Sequence, residues 1–102
     1  MRIQITTRAG HVPEDVMERT ESLVGGLTKF DPRVSAADVI FNEEKNAQQI
    51  EVILHVDGTP PVVAHGEEPE FRVALDKTVD KLARMLRRQR ERDRDHKADP
   101  RP

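Results

Sequence analysis

The alternation of apolar and polar positions divides the chain into segments of two different periods. Met1, Ile3 and Ile5 alternate with Arg2, Gln4 and Thr6, a period of two that predicts a strand with one buried face. Gly10-His11 interrupts it. Val16, Thr20, Leu23, Leu27 and Phe30 then recur at spacings of four, three, four and three, one face of an amphipathic helix over about residues 13–29. Pro13 suits the first turn of that helix, and Glu14 and Asp15 favour the positive end of its dipole. Gly25-Gly26 costs it roughly 1 kcal/mol per residue against alanine, which predicts fraying or close packing on the sheet there.

Asp31-Pro32 marks a turn. Val39 and Phe41 alternate with Asp38, Ile40 and Asn42 in a second strand, and Glu43–Gln48 reads as a polar connection. Ile50, Val52, Leu54 and Val56 give the clearest strand of the chain. Asp57-Gly58 signals a turn that Pro60-Pro61 lengthens, and Val62–His65 is a short fourth strand at an edge. Glu67–Pro69 opens a long helix whose apolar stripe is Phe71, Leu75, Val79, Leu82 and Leu86. The stripe stops there, while helix-forming residues continue to about Arg92. The predicted class is α+β, in the order β-α-β-β-β-α: one four-stranded sheet with two helices packed on one face, and antiparallel pairing of the three consecutive strands. Residues 1–92 form the single domain. Residues 93–102, with no apolar side chain but Ala98, are expected to be a disordered charged tail.

Charge changes this picture more than composition does. The net charge of the 102 residues is −2. Residues 1–83 hold 9 Lys/Arg against 15 Asp/Glu, and residues 84–102 hold 8 against 4, so an acidic body carries a basic end. Lys77, Lys81, Arg84, Arg88 and Arg92 fall within about 80° of arc on the last helix, roughly 120° from its apolar stripe. Arg87, Arg90 and Arg94 flank them. A solvated helix face is the plain reading of such a row. Arginine dominates it, however, and suits bidentate phosphate contacts, and beyond Leu86 the helix has no core to serve.

Other chemistry is thin. The chain has no cysteine, which excludes disulfides and thiolate metal sites and suits a reducing compartment. No apolar run approaches the roughly 20 residues of a membrane span, and the N-terminus lacks a secretory pattern, so a cytoplasmic protein is expected. Phe30, Phe41 and Phe71 sit at apolar-face positions and read as core, leaving no aromatic platform for stacking bases. His11, His55, His65 and His96 show no metal-ligand spacing. The acidic pairs Glu43-Glu44 and Glu67-Glu68, placed in loops, read as surface. No cofactor motif or catalytic constellation can be assembled, and an enzyme is not expected.

Several strings give the chain a family likeness. Leu54-His55-Val56-Asp57-Gly58 at the end of the third strand, Val73-Ala74-Leu75-Asp76 with Asp80-Lys81-Leu82-Ala83-Arg84 on the last helix, the opening Ile3-Gln4-Ile5-Thr6 and the Leu27–Phe30 helix end all contribute. Over Met1 to about Arg92 the chain resembles a short-form member of the ribosome hibernation-promoting factor family, also called ribosome-associated inhibitors or sigma-factor modulation proteins. The resemblance implies binding to the small ribosomal subunit in the decoding channel, where mRNA and tRNA would sit, and repression of translation under stress or in stationary phase. Carried over by position, the rRNA contacts are Lys81, Arg84, Arg88, Arg90 and Arg92, with Lys29 at the end of the first helix. Lys77 and Arg87 join them from the helical arc. Gly25 and Gly26 stand where members carry lysines, and Arg72 where an aromatic residue is usual.

A second factor that dimerises ribosomes is a further candidate partner, since the long form's dimerisation domain is absent; the free protein is expected to be a monomer. Two other readings share the same layout. A double-stranded-RNA-binding-like module would bind free duplex, and a protein-interaction regulator would use the acidic body and ignore RNA.

Overall fold

The computed structural model describes residues 1–98. Its elements are β1 (Arg2–Thr7), α1 (Glu14–Gly25), a 3₁₀ turn (Gly26–Lys29), β2 (Val34–Glu44), β3 (Ala47–Val56), β4 (Val62–Glu68) and α2 (Phe71–Ala98). The four strands form one sheet in the order β1-β2-β3-β4. β1 runs parallel to β2, with Ile3 opposite Ala37 and Ile5 opposite Val39, and α1 supplies the crossover that a parallel pair requires. β2, β3 and β4 are antiparallel neighbours, as their short connections predict.

One face of the sheet is buried. Val39, Phe41, Val52 and Leu54 are fully enclosed, and so are Leu75, Leu82 and Leu86 of α2, which packs on β3 and β4. Phe41 and Phe71 meet edge-to-face at 5.2 Å, the arrangement their ring quadrupoles favour. On α1, Val16, Thr20 and Val24 are buried, and the Thr20 hydroxyl donates to the Val16 carbonyl at 2.7 Å. The stripe thus runs through Val24 rather than Leu23, which is half-buried. At Gly25-Gly26 the helix tightens into the 3₁₀ turn instead of fraying, and Leu27 stays in the core.

Several boundaries differ from the periodicity, and β2 begins at Val34, four residues ahead of Asp38. The polar connection after β2 shrinks to Lys45-Asn46, because Glu43 and Glu44 pair with Gln48 and Ala47. β4 runs on through Glu68, since Gly66, Glu67 and Glu68 pair with Ile50, Gln49 and Gln48. Both acidic pairs are therefore strand residues, and the last helix begins at Phe71, whose N–H donates to the Gln48 side chain. Finally, α2 continues through Ala98, past the Asp93 where the sequence predicts a disordered tail. Asp93 accepts a hydrogen bond from Arg33 at 2.9 Å, a tie that sequence periodicity cannot register. Residues 99–102 of the expected tail lie outside the described residues.

The approach of α2 to β4 depends on one glycine. A Cβ at Gly66 would collide with the Thr78 hydroxyl and stand 3.1 Å from the Ala74 carbonyl. Thr78 is itself fully buried, with no hydrogen-bond partner for its hydroxyl among the described residues. Gly66→Ala is therefore expected to destabilise the fold by about 1–3 kcal/mol through overpacking. Adding Thr78→Ala should return part of that loss, read as a coupling in urea-unfolding double-mutant cycles. Leu82→Ala, which empties a fully buried site, should cost about 2–5 kcal/mol in the same assay.

Candidate nucleic-acid interface

The core uses α2 only as far as Leu86, the last buried residue on the helix among those described. The stretch from there to Ala98 extends about 18 Å further at 1.5 Å per residue. This overhang sets the long dimension of the molecule, 57 Å against 23 and 17 Å. A polar contact replaces the apolar stripe beneath it. Asp93 follows Leu82 and Leu86 on the same side of the helix and meets Arg33, just ahead of β2. Arg33 also chelates Asp31, with Nε at 3.1 Å and Nη2 at 2.9 Å, while its backbone N–H donates to the same carboxylate at 3.0 Å.

Asp31 is fully buried. The hydrogen bonds from Arg33 hold its carboxyl below the usual carboxylate range, overcoming burial, which acts in the opposite direction; the nearby Arg90 charge adds to the lowering. The two carboxylates in turn raise the already high pKa of Arg33. Near the start of α2, Asp76 forms a bidentate pair with Arg19 of α1 at 2.8 and 3.0 Å and raises the guanidinium pKa. The two helices are thus tied by charge at one end, and α2 is tied to the base of β2 at the other.

The eight predicted contact residues fall into two groups. Lys77, Lys81, Arg84, Arg88 and Arg92 form one row on the β4 side of α2. Lys77 pairs with Glu68 at 3.2 Å, Lys81 donates to the His65 carbonyl at 2.8 Å, and Arg84 pairs with Asp80 at 3.6 Å. All five are exposed. Exposed pairs of this kind are worth well under about 1 kcal/mol, so they yield to a phosphate. Arg88 and Arg92 have no ion pair among the described residues.

Arg87 and Arg90 belong to the opposite flank. The Arg87 guanidinium lies 4.8 Å from the Phe30 ring centre, and the Arg90 charge is near enough to Asp31 to help lower its pKa. Lys29, exposed at the end of the 3₁₀ turn, immediately precedes Phe30. The five residues of the helical arc thus form the row, and the flanking Arg87 and Arg90, with Lys29, form a smaller group on the other side of Asp93. Sequence reasoning missed Arg33, Asp31 and Asp93 as the support for this surface. The Asp31–Arg33 pairing, two residues apart, was a legible local signal; the link to Asp93, 60 residues away, was not. Phe30, read as core, is half-buried and carries Arg87 on its face.

His55 and His65 are strand residues engaged by carboxylates: His55 contacts Asp38 at 2.9 Å and His65 contacts Glu51 at 3.3 Å. Among the described residues, no group of three His, Asp or Glu side chains is placed to hold a metal ion.

Residues 3–94 match the family model described as sigma 54 modulation protein / S30EA ribosomal protein. Among curated relatives, the ribosome hibernation promoting factor of Azotobacter vinelandii is 30% identical over 102 residues, covering all of this chain and 94% of that protein. The factor of the same name from Salmonella typhimurium is 27% identical over 96 residues, 94% of this chain and 100% of the relative. Two solved structures share the fold. A ribosomal subunit interface protein from Coxiella burnetii superposes with a TM-score of 0.81 at 20% identity, covering 89% of this chain and 99% of that one. The N-terminal domain of Thermus thermophilus Protein Y gives 0.77 at 19% identity, covering 86% and 98%.

The Asp31–Arg33 contact makes stability depend on pH with a definite sign. A carboxyl whose pKa is lowered by folding contributes fully above its unfolded value, near pH 4, and loses that contribution as pH falls through the depressed value. Asp31→Asn is expected to reduce unfolding free energy at neutral pH by about 1–3 kcal/mol. It should also flatten the acid limb below about pH 4. Urea midpoints at pH 7 and pH 3 check both; an equally steep acid limb in the variant would assign the dependence to other groups.

Proposed function

The chain belongs to the sigma 54 modulation protein / S30EA ribosomal protein family, and on that footing we propose that it is a ribosome hibernation factor acting in the cytoplasm. It binds the small ribosomal subunit in the decoding channel, excludes mRNA and tRNA, and represses translation under stress or in stationary phase. The observation that carries this reading is the arginine-rich overhang of α2, a length of helix that packs against no core and that the family match includes up to residue 94. The names of the relatives support the ribosomal setting, and the geometry supports a phosphate-binding role.

The action needs no chemical step. Lys77, Lys81, Arg84, Arg88 and Arg92 lie on a rigid support, so few rotamers are lost when they meet phosphates, and each contact releases condensed counterions. Lys29, Arg87 and Arg90 offer a second line of contact from the other flank. The remainder of residues 1–83, which carries the acidic excess, is repelled by the same RNA. That asymmetry turns the basic end toward the subunit during encounter and disfavours docking by the sheet. A separate factor that dimerises ribosomes would be a partner of the complex, not a requirement for blocking the channel.

The triple variant Arg84→Glu, Arg88→Glu, Arg92→Glu should lose co-sedimentation with small subunits while its circular dichroism stays unchanged, because all three side chains are exposed. For the unmodified protein, binding should fall with salt and be displaced by saturating mRNA with initiator tRNA. Undiminished binding by the triple variant would remove α2 from the interface, and insensitivity to tRNA would place the protein elsewhere on the subunit.

A further inference from the structure

Between the β3–β4 loop and the overhang of α2 lies a cleft of about 630 Å³, within the range of small-ligand sites. Its character is mixed in a specific way. Pro60 and Pro61 on the loop face Met85 on the helix and form an apolar wall, while Arg88 and Arg92 stand at the helix rim with Gln89 between them. We infer that this cleft seats one unstacked nucleotide of the bound RNA, its base against Pro60, Pro61 and Met85 and its flanking phosphates on Arg88 and Arg92. The inference rests on the rRNA-binding reading above and adds to it a site for a base.

Charge selects the occupant. Arg84, Arg88 and Arg92 are spaced by four residues, so they repel one another along the helix, an arrangement that disfavours the free protein. Among the described residues, of these three only Arg84 forms an ion pair, with Asp80 at 3.6 Å. Among the described residues the one carboxylate lining the cleft, Asp93, is committed to Arg33 at 2.9 Å and does not oppose an anion. A cleft whose two rim arginines have no ion pair among the described residues, and whose wall is neutral and apolar, fits a ligand that is anionic at one end and flat and apolar at the other. An exposed nucleotide has that form; a base-paired duplex, with its bases stacked away, presents only the anion.

The wall also answers the shortage of aromatic residues. Proline rings and a thioether make broad contact with a base face without a π-system, and methionine sulfur interacts favourably with aromatic rings. The half-buried Gln89 has no side-chain hydrogen bond among the described residues, and its amide both donates and accepts. It is placed to meet a base edge.

Salt titrations separate this site from the general phosphate contacts. With whole small subunits and the full chain, Gln89→Ala and the pair Pro60→Ala, Pro61→Ala should each weaken binding about five- to tenfold, the low end for loss of a base contact, at an unchanged slope of log affinity against log salt. Arg88→Ala should instead reduce that slope by about 0.7–0.9. Independently, in protein labelled on its methionine methyls, a short single-stranded oligoribonucleotide at saturation should shift Met85 upfield and leave Met1 and Met17 in place; a blunt duplex should not. If Gln89→Ala and the proline variant bind like the unmodified protein while the triple arginine variant does not, the cleft is empty in the complex and only the phosphate surface survives. If they weaken subunit binding but the oligoribonucleotide leaves Met85 unmoved, the cleft takes a ribosomal protein segment and the nucleotide is wrong. Failure of the unmodified chain to sediment with subunits would overturn the ribosomal reading and this site with it.

Discussion

The close seating of α2 on β4 sets the geometry of everything that follows. Gly66 has no side chain, and Ala74 and Thr78 face it, so the helix comes down onto the strand until backbone and hydroxyl nearly touch. From that contact the direction of a 28-residue helix is fixed. Its apolar face meets the sheet through Phe71, Leu75, Leu82 and Leu86, and the row from Lys77 to Arg92 is carried along the β4 edge. A larger residue at 66 would lift or tilt the helix, and a small angle at the anchored end becomes a large displacement at the free end.

The free end is held by charge where the core no longer reaches. Arg33 sits between the buried Asp31 and the helical Asp93, so one guanidinium satisfies a carboxylate at the entrance to β2 and another on the overhang. Such a tie costs desolvation and is a poor substitute for apolar packing as a source of stability. Its value is directional, because it fixes the rotation of α2 about its own axis. The Arg87–Phe30 contact acts on the same flank. Together they keep Arg88 and Arg92 turned away from the body, at the mouth of the cleft under the Pro60-Pro61 loop.

Most of the fold was legible because burial here has a simple period. Ile50, Val52, Leu54 and Val56 alternate without exception, and the four-three spacing of the helices points their apolar faces to the same layer. The misplaced boundaries come from residues whose environment is made by distant partners. Glu67 and Glu68 look like a helix opening next to Pro69, yet strand pairing with Gln48 and Gln49 decides their state. Asp93 looks like the start of a solvated tail, yet Arg33 holds it. For the interface, the cations were visible at once, since periodicity reports which face a residue occupies. The wheel set Arg87 and Arg90 at the flank of the row but does not report what stands opposite a face, and so it could not show Phe30 under Arg87 or Asp31 near Arg90.

On the proposed reading, a body with net negative charge would bind RNA through one basic helix, which is a consistent design in physical terms. Nonspecific association with RNA rises with the number of phosphates a protein can neutralise in any orientation. Here residues 1–83, with 15 acidic and 9 basic side chains, would disfavour orientations that do not present the helix. Affinity then depends on presenting many cations together, which a rigid overhang achieves at low entropic cost, and on a surface into which only that overhang fits. The same arrangement favours release. Three of the five cations are held weakly by neighbours, Lys77 by Glu68, Lys81 by the His65 carbonyl and Arg84 by Asp80, so the free state would have partial partners for them when the phosphates leave. Selectivity for one orientation and reversibility therefore follow from a single feature, the confinement of the positive excess to a helix end that the core does not need.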